Sequence, residues 1–301
     1  MSGTPPSRSA RLAWTAVVVI ILGVVGLVTY ALTHTSSPTA PAVPATTAPG
    51  ILTAVSTVPL AAFDAAGVTV PGAELTPPAV PAGQPPPVSG GRPEVLFVGA
   101  EYCPFCAAER WPLVVALSRF GRFTVLHDAT STSQSVFPGT ATFSFHGTSY
   151  SSTYLDFTGI ELYSDQVGAD GAFTRITRLT PAQAALVARY GDSSAASGTG
   201  ASPFVDVAGR LVATTSGFSP ALLAGMSQAQ IASALTAPPA ASAPAGTRPA
   251  PPVGSAVLAT ANQLTAGICA ATDQQPAAVC RSKGVRAAAT ALGLPVAPPA
   301  G

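Results

Sequence analysis

The sequence predicts an α/β domain with a β-rich insertion, preceded by one transmembrane helix. Three observations carry that expectation. Arg8 and Arg11 precede an apolar run, residues 12–32, that contains no formal charge. A β-branched apolar strand beginning at Val95 stops at Gly99 and leads into Cys103-Pro104-Phe105-Cys106, which opens a segment of helical composition. Farther on, alternating runs at residues 143–147 and 154–157 read as half-buried strands, and residues 204–212 read as a hairpin around Gly209.

The first run is long enough, at roughly 20 residues, to cross a hydrocarbon core of about 30 Å as a helix. Trp14 and Tyr30 fall near its two ends, where amphipathic rings settle. A cleaved signal peptide has a shorter apolar region, about 7 to 15 residues. Basic residues precede the run and none occurs between residues 33 and 91. The expected topology is therefore single-pass in the cell membrane, N-terminus cytoplasmic and main domain extracytoplasmic. With a net charge of +1 and no basic cluster, nothing marks a nucleic-acid partner.

Only 9% of the 301 residues are charged, while Gly (28) and Pro (31) are abundant, so much of the length is expected outside regular elements. In order, the expected organisation is a cytoplasmic tail (1–11), the membrane helix (12–32) and a Pro/Ala-rich linker (33–92). An α/β domain (93–236), a second linker (237–254) and a C-terminal helical segment (255–301) follow. Within the first linker a short ordered segment is expected near 51–67: a short strand at 55–58, then a helix capped by Thr57 and stopped by Gly67. The helix opened by Cys103 is expected to run to about Phe120 and to kink at Pro112, burying Leu113, Val114, Leu117 and Phe120. Residues 123–128 read as the next parallel strand of a β-α-β unit, with His127 and Asp128 a polar pair at its end. Tyr150, Tyr154, Phe157 and Tyr163 read as core of the insertion. Thr180 caps a helix that Gly191 ends, and residues 219–235 form the last helix of the domain, broken near Gly225.

Chemistry is expected at the two paired cysteines. A thiol at a helix N-terminus faces unpaired backbone N–H groups and the positive end of the helix dipole, which favour the thiolate. Cys103 is thus the expected nucleophile, and Cys106, one turn deeper on the same face, the residue that resolves its mixed disulfide. Glu101 would oppose the thiolate, and no lysine lies nearby, Lys283 being the only one. Zinc fits poorly, because Cys269 and Cys280 are remote in sequence and no histidine stands at ligand spacing. Covalent haem needs a histidine where Ala107 stands. No metal or cofactor is therefore expected. Outside the cytoplasm the remaining pair, Cys269 and Cys280, reads as a structural disulfide; the bolder alternative is a second redox pair.

A Cys-X-X-Cys opening a helix that carries a proline resembles the thioredoxin superfamily. More narrowly, residues 99–111, Gly-Ala-Glu-Tyr-Cys-Pro-Phe-Cys-Ala-Ala-Glu-Arg-Trp, resemble the DUF929 family, whose members are regarded as thioredoxin-like. The resemblance implies a thioredoxin-like domain in which Pro203 is cis, faces the cysteines and, with Ser202, positions the substrate backbone. The leading expectation is a membrane-anchored thiol–disulfide oxidoreductase acting on thiol- or disulfide-bearing envelope proteins. Its rival is a non-enzymatic extracellular binding module in which a Cys103–Cys106 bridge is structural.

Overall fold

The computed structural model describes residues 8–34, 43–82, 88–191, 202–236 and 252–298. The tail before Arg8, residues 35–42 of the first spacer, the Pro85–Pro87 run and residues 237–251 of the second lie outside the described residues. The chain divides into Met1–Ala40 and Pro41–Gly301. The first unit carries helix α1 (Arg8–His34), whose apolar side chains from Val17 to Tyr30 are exposed.

The second unit is built on strand β2 (Arg92–Gly99), which the short strand β1 (Val88–Ser89) joins as a hairpin. On one edge β2 pairs in parallel with β5 (Asp156–Glu161), Phe97 opposite Gly159. On the other it pairs antiparallel with β8 (Phe204–Val207), which pairs in turn with β9 (Leu211–Ala213). Both faces of this mixed sheet are buried, and the period-2 alternation divides its side chains. Val95, Phe97, Val205 and Val207 face the main core, while Leu96, Val98, Phe204 and Val212 meet Val187 of helix α5 (Pro181–Tyr190). The expected cap of α5 is present as a capping box between Thr180 and Gln183.

The parallel partner of β2 is not residues 123–128. Strand β3 (Gly121–Thr130) is instead spent on an antiparallel hairpin with β4 (Ala141–Ser152). Gly159 allows β5 to take the place beside β2: a Cβ there would lie 2.5 Å from Phe145 Cβ, so only glycine lets Phe145 pack onto Phe97, ring centroids 4.9 Å apart. Tyr150 and Phe157 join Phe123 and Phe145 in one aromatic cluster, as expected of core residues. The strands β6 (Tyr163–Val167) and β7 (Phe173–Arg175) form a separate hairpin.

Helix α4 (Pro104–Leu117) stops one turn before Gly121, and every residue in it except Phe105 is buried. It is not amphipathic because helix α7 (Val253–Ala271) covers its other side. The C-terminal segment is thus part of the core. Helix α7 has the length and apolarity to cross a membrane, but 89% of its apolar window is buried inside the fold. The expected helix over 219–235 is a 3₁₀ turn (Pro220–Leu223) and the short helix α6 (Gln228–Ala234), parted at Gly225, whose φ is +70°. The expected strand at 55–58 is the end of helix α2 (Pro49–Ser56), entered through Pro49 and buried through Val55. Helix α3 (Leu60–Ala66) does end at Gly67, but Pro59 rather than Thr57 stands at its cap. The ordered part of the first linker therefore extends well beyond 51–67. Asn262 of α7 donates to the carbonyls of Phe63 (2.8 Å) and Gly67 (2.9 Å), fastening α3 to the core. His127 is structural, its Nδ1 2.8 Å from the Pro44 carbonyl. Helices α8 (Ala277–Cys280) and α9 (Lys283–Leu292) complete the chain, and Asp64 accepts the Gly284 N–H at 2.8 Å.

Candidate functional site

The two paired cysteines sit where β2 gives way to α4. Leu162 N–H donates to the Gly99 carbonyl (2.7 Å) and Glu101 N–H to that of Tyr163 (2.9 Å), so the turn is clamped to the β5–β6 connection. A Cβ at Gly99 would lie 3.1 Å from Cys106 Sγ, and glycine is what lets that sulfur rest on the strand's backbone. Cys103 is the N-cap of α4, in extended conformation (φ −83°, ψ 122°), with Pro104 at the first helical position. Its Sγ accepts the Cys106 N–H at 3.2 Å. No disulfide joins the two cysteines; Cys103 is 2% exposed and Cys106 fully buried.

The two sulfurs are driven apart electrostatically. The hydrogen bond from the Cys106 thiol holds the Cys103 pKa below its ordinary value against the cost of burial, helped by backbone N–H groups and by the Arg110 charge. Burial, and then the neighbouring Cys103 sulfur, push the Cys106 thiol well up. The two shifts are opposite in sign, Cys103 toward the thiolate and Cys106 toward the thiol.

Sequence reasoning sought a lysine near the pair and overlooked Arg110. Four residues beyond Cys106 on the helix, Arg110 returns to the same side. It is fully buried and donates twice to Glu161, Nε to Oε1 at 2.9 Å and Nη2 to Oε2 at 2.6 Å. Nη2 also donates to the Ala100 carbonyl (2.8 Å), and Nη1 has no hydrogen-bond partner. The i, i+4 spacing was the available signal; Glu161, at the end of β5, was not recoverable without the strand pairing. Glu101 opposes the thiolate less than expected: burial raises its pKa to about 7 although Ser144 Oγ donates to it at 2.5 Å. Glu109 is also buried, its pKa raised to about 8 by desolvation, with only the Gly217 N–H (2.8 Å) donating to it.

Above Cys103 lies a pocket of about 290 Å³ whose walls include Tyr102, Phe105 and Phe173. Tyr102 is half-buried, which raises its pKa to about 12, and stacks on Phe173 at 4.0 Å. Ser202 and Pro203 are placed less as expected. Phe204 pairs with Val98, so Pro203 lies beside the end of β2, but neither residue lines this pocket. The Ser202–Pro203 bond is trans, the isomer X-Pro bonds adopt by default; the cis bond among the described residues is Gln275–Pro276. Cys269 and Cys280 form the expected disulfide, Cα atoms 5.7 Å apart, both sulfurs buried. Among the described residues no three His, Cys, Asp or Glu side chains gather as a metal site would require.

No curated protein and no solved structure matches the chain. A family model does, that of DUF929, a domain of unknown function, over residues 86–270. This span runs from the approach to β2 nearly to the end of α7 and holds both paired cysteines, Arg110 and Glu161. The chain belongs to the DUF929 family.

Proposed function

We propose that the protein is a membrane-anchored, extracytoplasmic thiol–disulfide oxidoreductase with a thioredoxin-like domain. The observation that carries this reading is the unequal sulfur pair: Cys103 at the helix N-cap with its pKa lowered, Cys106 behind it as a thiol, and Arg110 beneath both. In the reducing direction the Cys103 thiolate bonds to one sulfur of a client disulfide. The client S–S bond breaks and its other sulfur leaves, taking a proton from solvent. Cys106 then gives up its proton and bonds to Cys103 Sγ; the client's first sulfur leaves and takes up that proton. Two electrons have passed to the client, and the reverse sequence oxidises a client dithiol. A thioredoxin-like fold is supported by the strand arrangement around β2, parallel on one edge and antiparallel on the other, with the cysteines after its C-terminal end. An anchor is supported by the apolar, exposed residues of α1 and by the basic residues ahead of them.

The competing reading, a binding module with a structural Cys103–Cys106 bridge, draws support from the 2% exposure of Cys103. Exchange by the full chain in detergent, followed with a disulfide-bonded reporter peptide, separates the two. Cys103→Ser abolishes exchange, and Cys106→Ser accumulates a reporter adduct on Cys103 that reductant releases. Undiminished exchange in Cys103→Ser would refute the assignment. Reporter fusions at the two termini test the topology, the C-terminal one being active only in the extracytoplasmic compartment.

A further inference from the structure

Phe105 is the one exposed residue of α4 and lies two positions from the proposed nucleophile. It is 37% exposed and meets Phe137 edge-on, ring centroids 5.8 Å apart. Next to Phe137, Val136 is 80% exposed at the tip of the loop between β3 and β4. Large apolar groups left in water beside a reactive sulfur mark an interaction surface. This surface is also held in shape. Thr132 N–H donates to the Tyr102 carbonyl (2.9 Å), and Ser131 and Thr140 close the loop base through two bonds of 3.0 Å. On the opposite wall Tyr102 and Phe173 stack nearly parallel, 11° apart, which ties the β6–β7 hairpin to the motif.

The pocket between these walls opens onto Cys103, and its polar rim of Thr132, Gln134 and Ser135 carries no charge. Its volume, about 290 Å³, corresponds to on the order of ten non-hydrogen atoms at roughly 30 Å³ per water-sized group, enough for one aromatic or long aliphatic side chain. Building on the oxidoreductase reading, we infer that this pocket, and not Ser202–Pro203, selects the client: a polypeptide whose reacting cysteine has a large apolar side chain within one or two residues. A charged small thiol such as glutathione finds no counter-charge in it. The client's own sulfur, joined to Cys103, fixes where its neighbouring side chain falls.

The test uses the reduced full chain in detergent with three oxidised probes. They are a peptide disulfide with Phe two residues from its cysteine, the same peptide with Asp there, and glutathione disulfide. Burial of an aromatic ring predicts a kcat/KM for the Phe peptide roughly tenfold or more above the other two. Phe105→Ser, at an exposed position of the pocket wall, brings the Phe peptide down toward the Asp peptide. Equal rates within about twofold for the two peptides, with exchange intact, overturn the inference and leave the oxidoreductase reading standing. No exchange with any probe, nor with dithiothreitol-derived disulfide, overturns both.

Discussion

Replacing Arg110 by methionine removes one charge from a pair that has no access to solvent. Glu161 would keep a buried carboxylate whose two charge-assisted bonds, at 2.9 and 2.6 Å, are gone, and the Ala100 carbonyl would lose a donor at 2.8 Å. Breaking a buried pair from one side costs about 3–5 kcal/mol, most of it the desolvation of the charge left behind. Glu161→Gln alone, which strands the guanidinium, carries a similar cost. The double variant strands neither charge, and its glutamine still accepts the Phe145 N–H that Glu161 Oε1 now accepts at 3.1 Å. Its destabilisation should therefore be smaller than either single one, a coupling of about 2–4 kcal/mol that urea unfolding measures directly. The Cys103 pKa behaves differently: because the Arg110 charge helps to lower it, the pH profile of Cys103 alkylation should move upward in the single and the double variant alike. A protein within about 1 kcal/mol of the parent after Arg110→Met, with an unmoved alkylation profile, would refute the reasoning.

Glu109 and Glu101 should make the fold less stable as pH rises. Their native pKa values, about 8 and about 7, stand above the usual 4.5, so the native state holds more protons across that interval. Stability is fully present below about pH 4.5 and is lost progressively up to pH 7–8. Glu109→Gln, whose amide oxygen still accepts the Gly217 N–H, should flatten the fall of Tm over that range; an unchanged slope would contradict the assignment. Replacing Cys269 and Cys280 together by alanine opens a loop of 11 residues and should cost about 2–3 kcal/mol in unfolding measurements. Exchange at Cys103 should persist, whereas a folded variant unable to turn over would point to a relay. Gly254→Ala places a Cβ 1.9 Å from the Ala234 carbonyl oxygen and should lower stability by about 1–3 kcal/mol, by forcing α7 away from α6.

What could be read in the sequence was local. The strand, turn and helix around Cys103, the N-cap at Thr180, the hairpin at Gly209 and the break at Gly225 each have a signal within a few residues, and the structure contains all of them. What could not be read depends on partners distant in the chain. Residues 123–128 have strand composition, but nothing in them specifies β4 rather than β2 as neighbour. That choice turns on Gly159 of β5 meeting Phe145 of β4 where the two sheets pack together. Likewise, α4 looks amphipathic until α7, more than 130 residues later, covers its other face. The same holds at the site. Cys103 and Cys106 announce themselves by spacing, whereas the ion pair beneath them joins residues 51 positions apart.

The most direct test of the central claim is the reduction potential of the Cys103–Cys106 pair. It would be measured in the full chain, because residues 43–82 and α7 belong to the same core. The chain is equilibrated against glutathione or dithiothreitol buffers, and the alkylation state of these two cysteines is read by mass. A working oxidoreductase should fall between about −120 and −280 mV, its place in that range giving the direction of electron flow. A potential well below about −300 mV, with Cys103 unreactive toward disulfides, would mark a structural bridge and contradict the account.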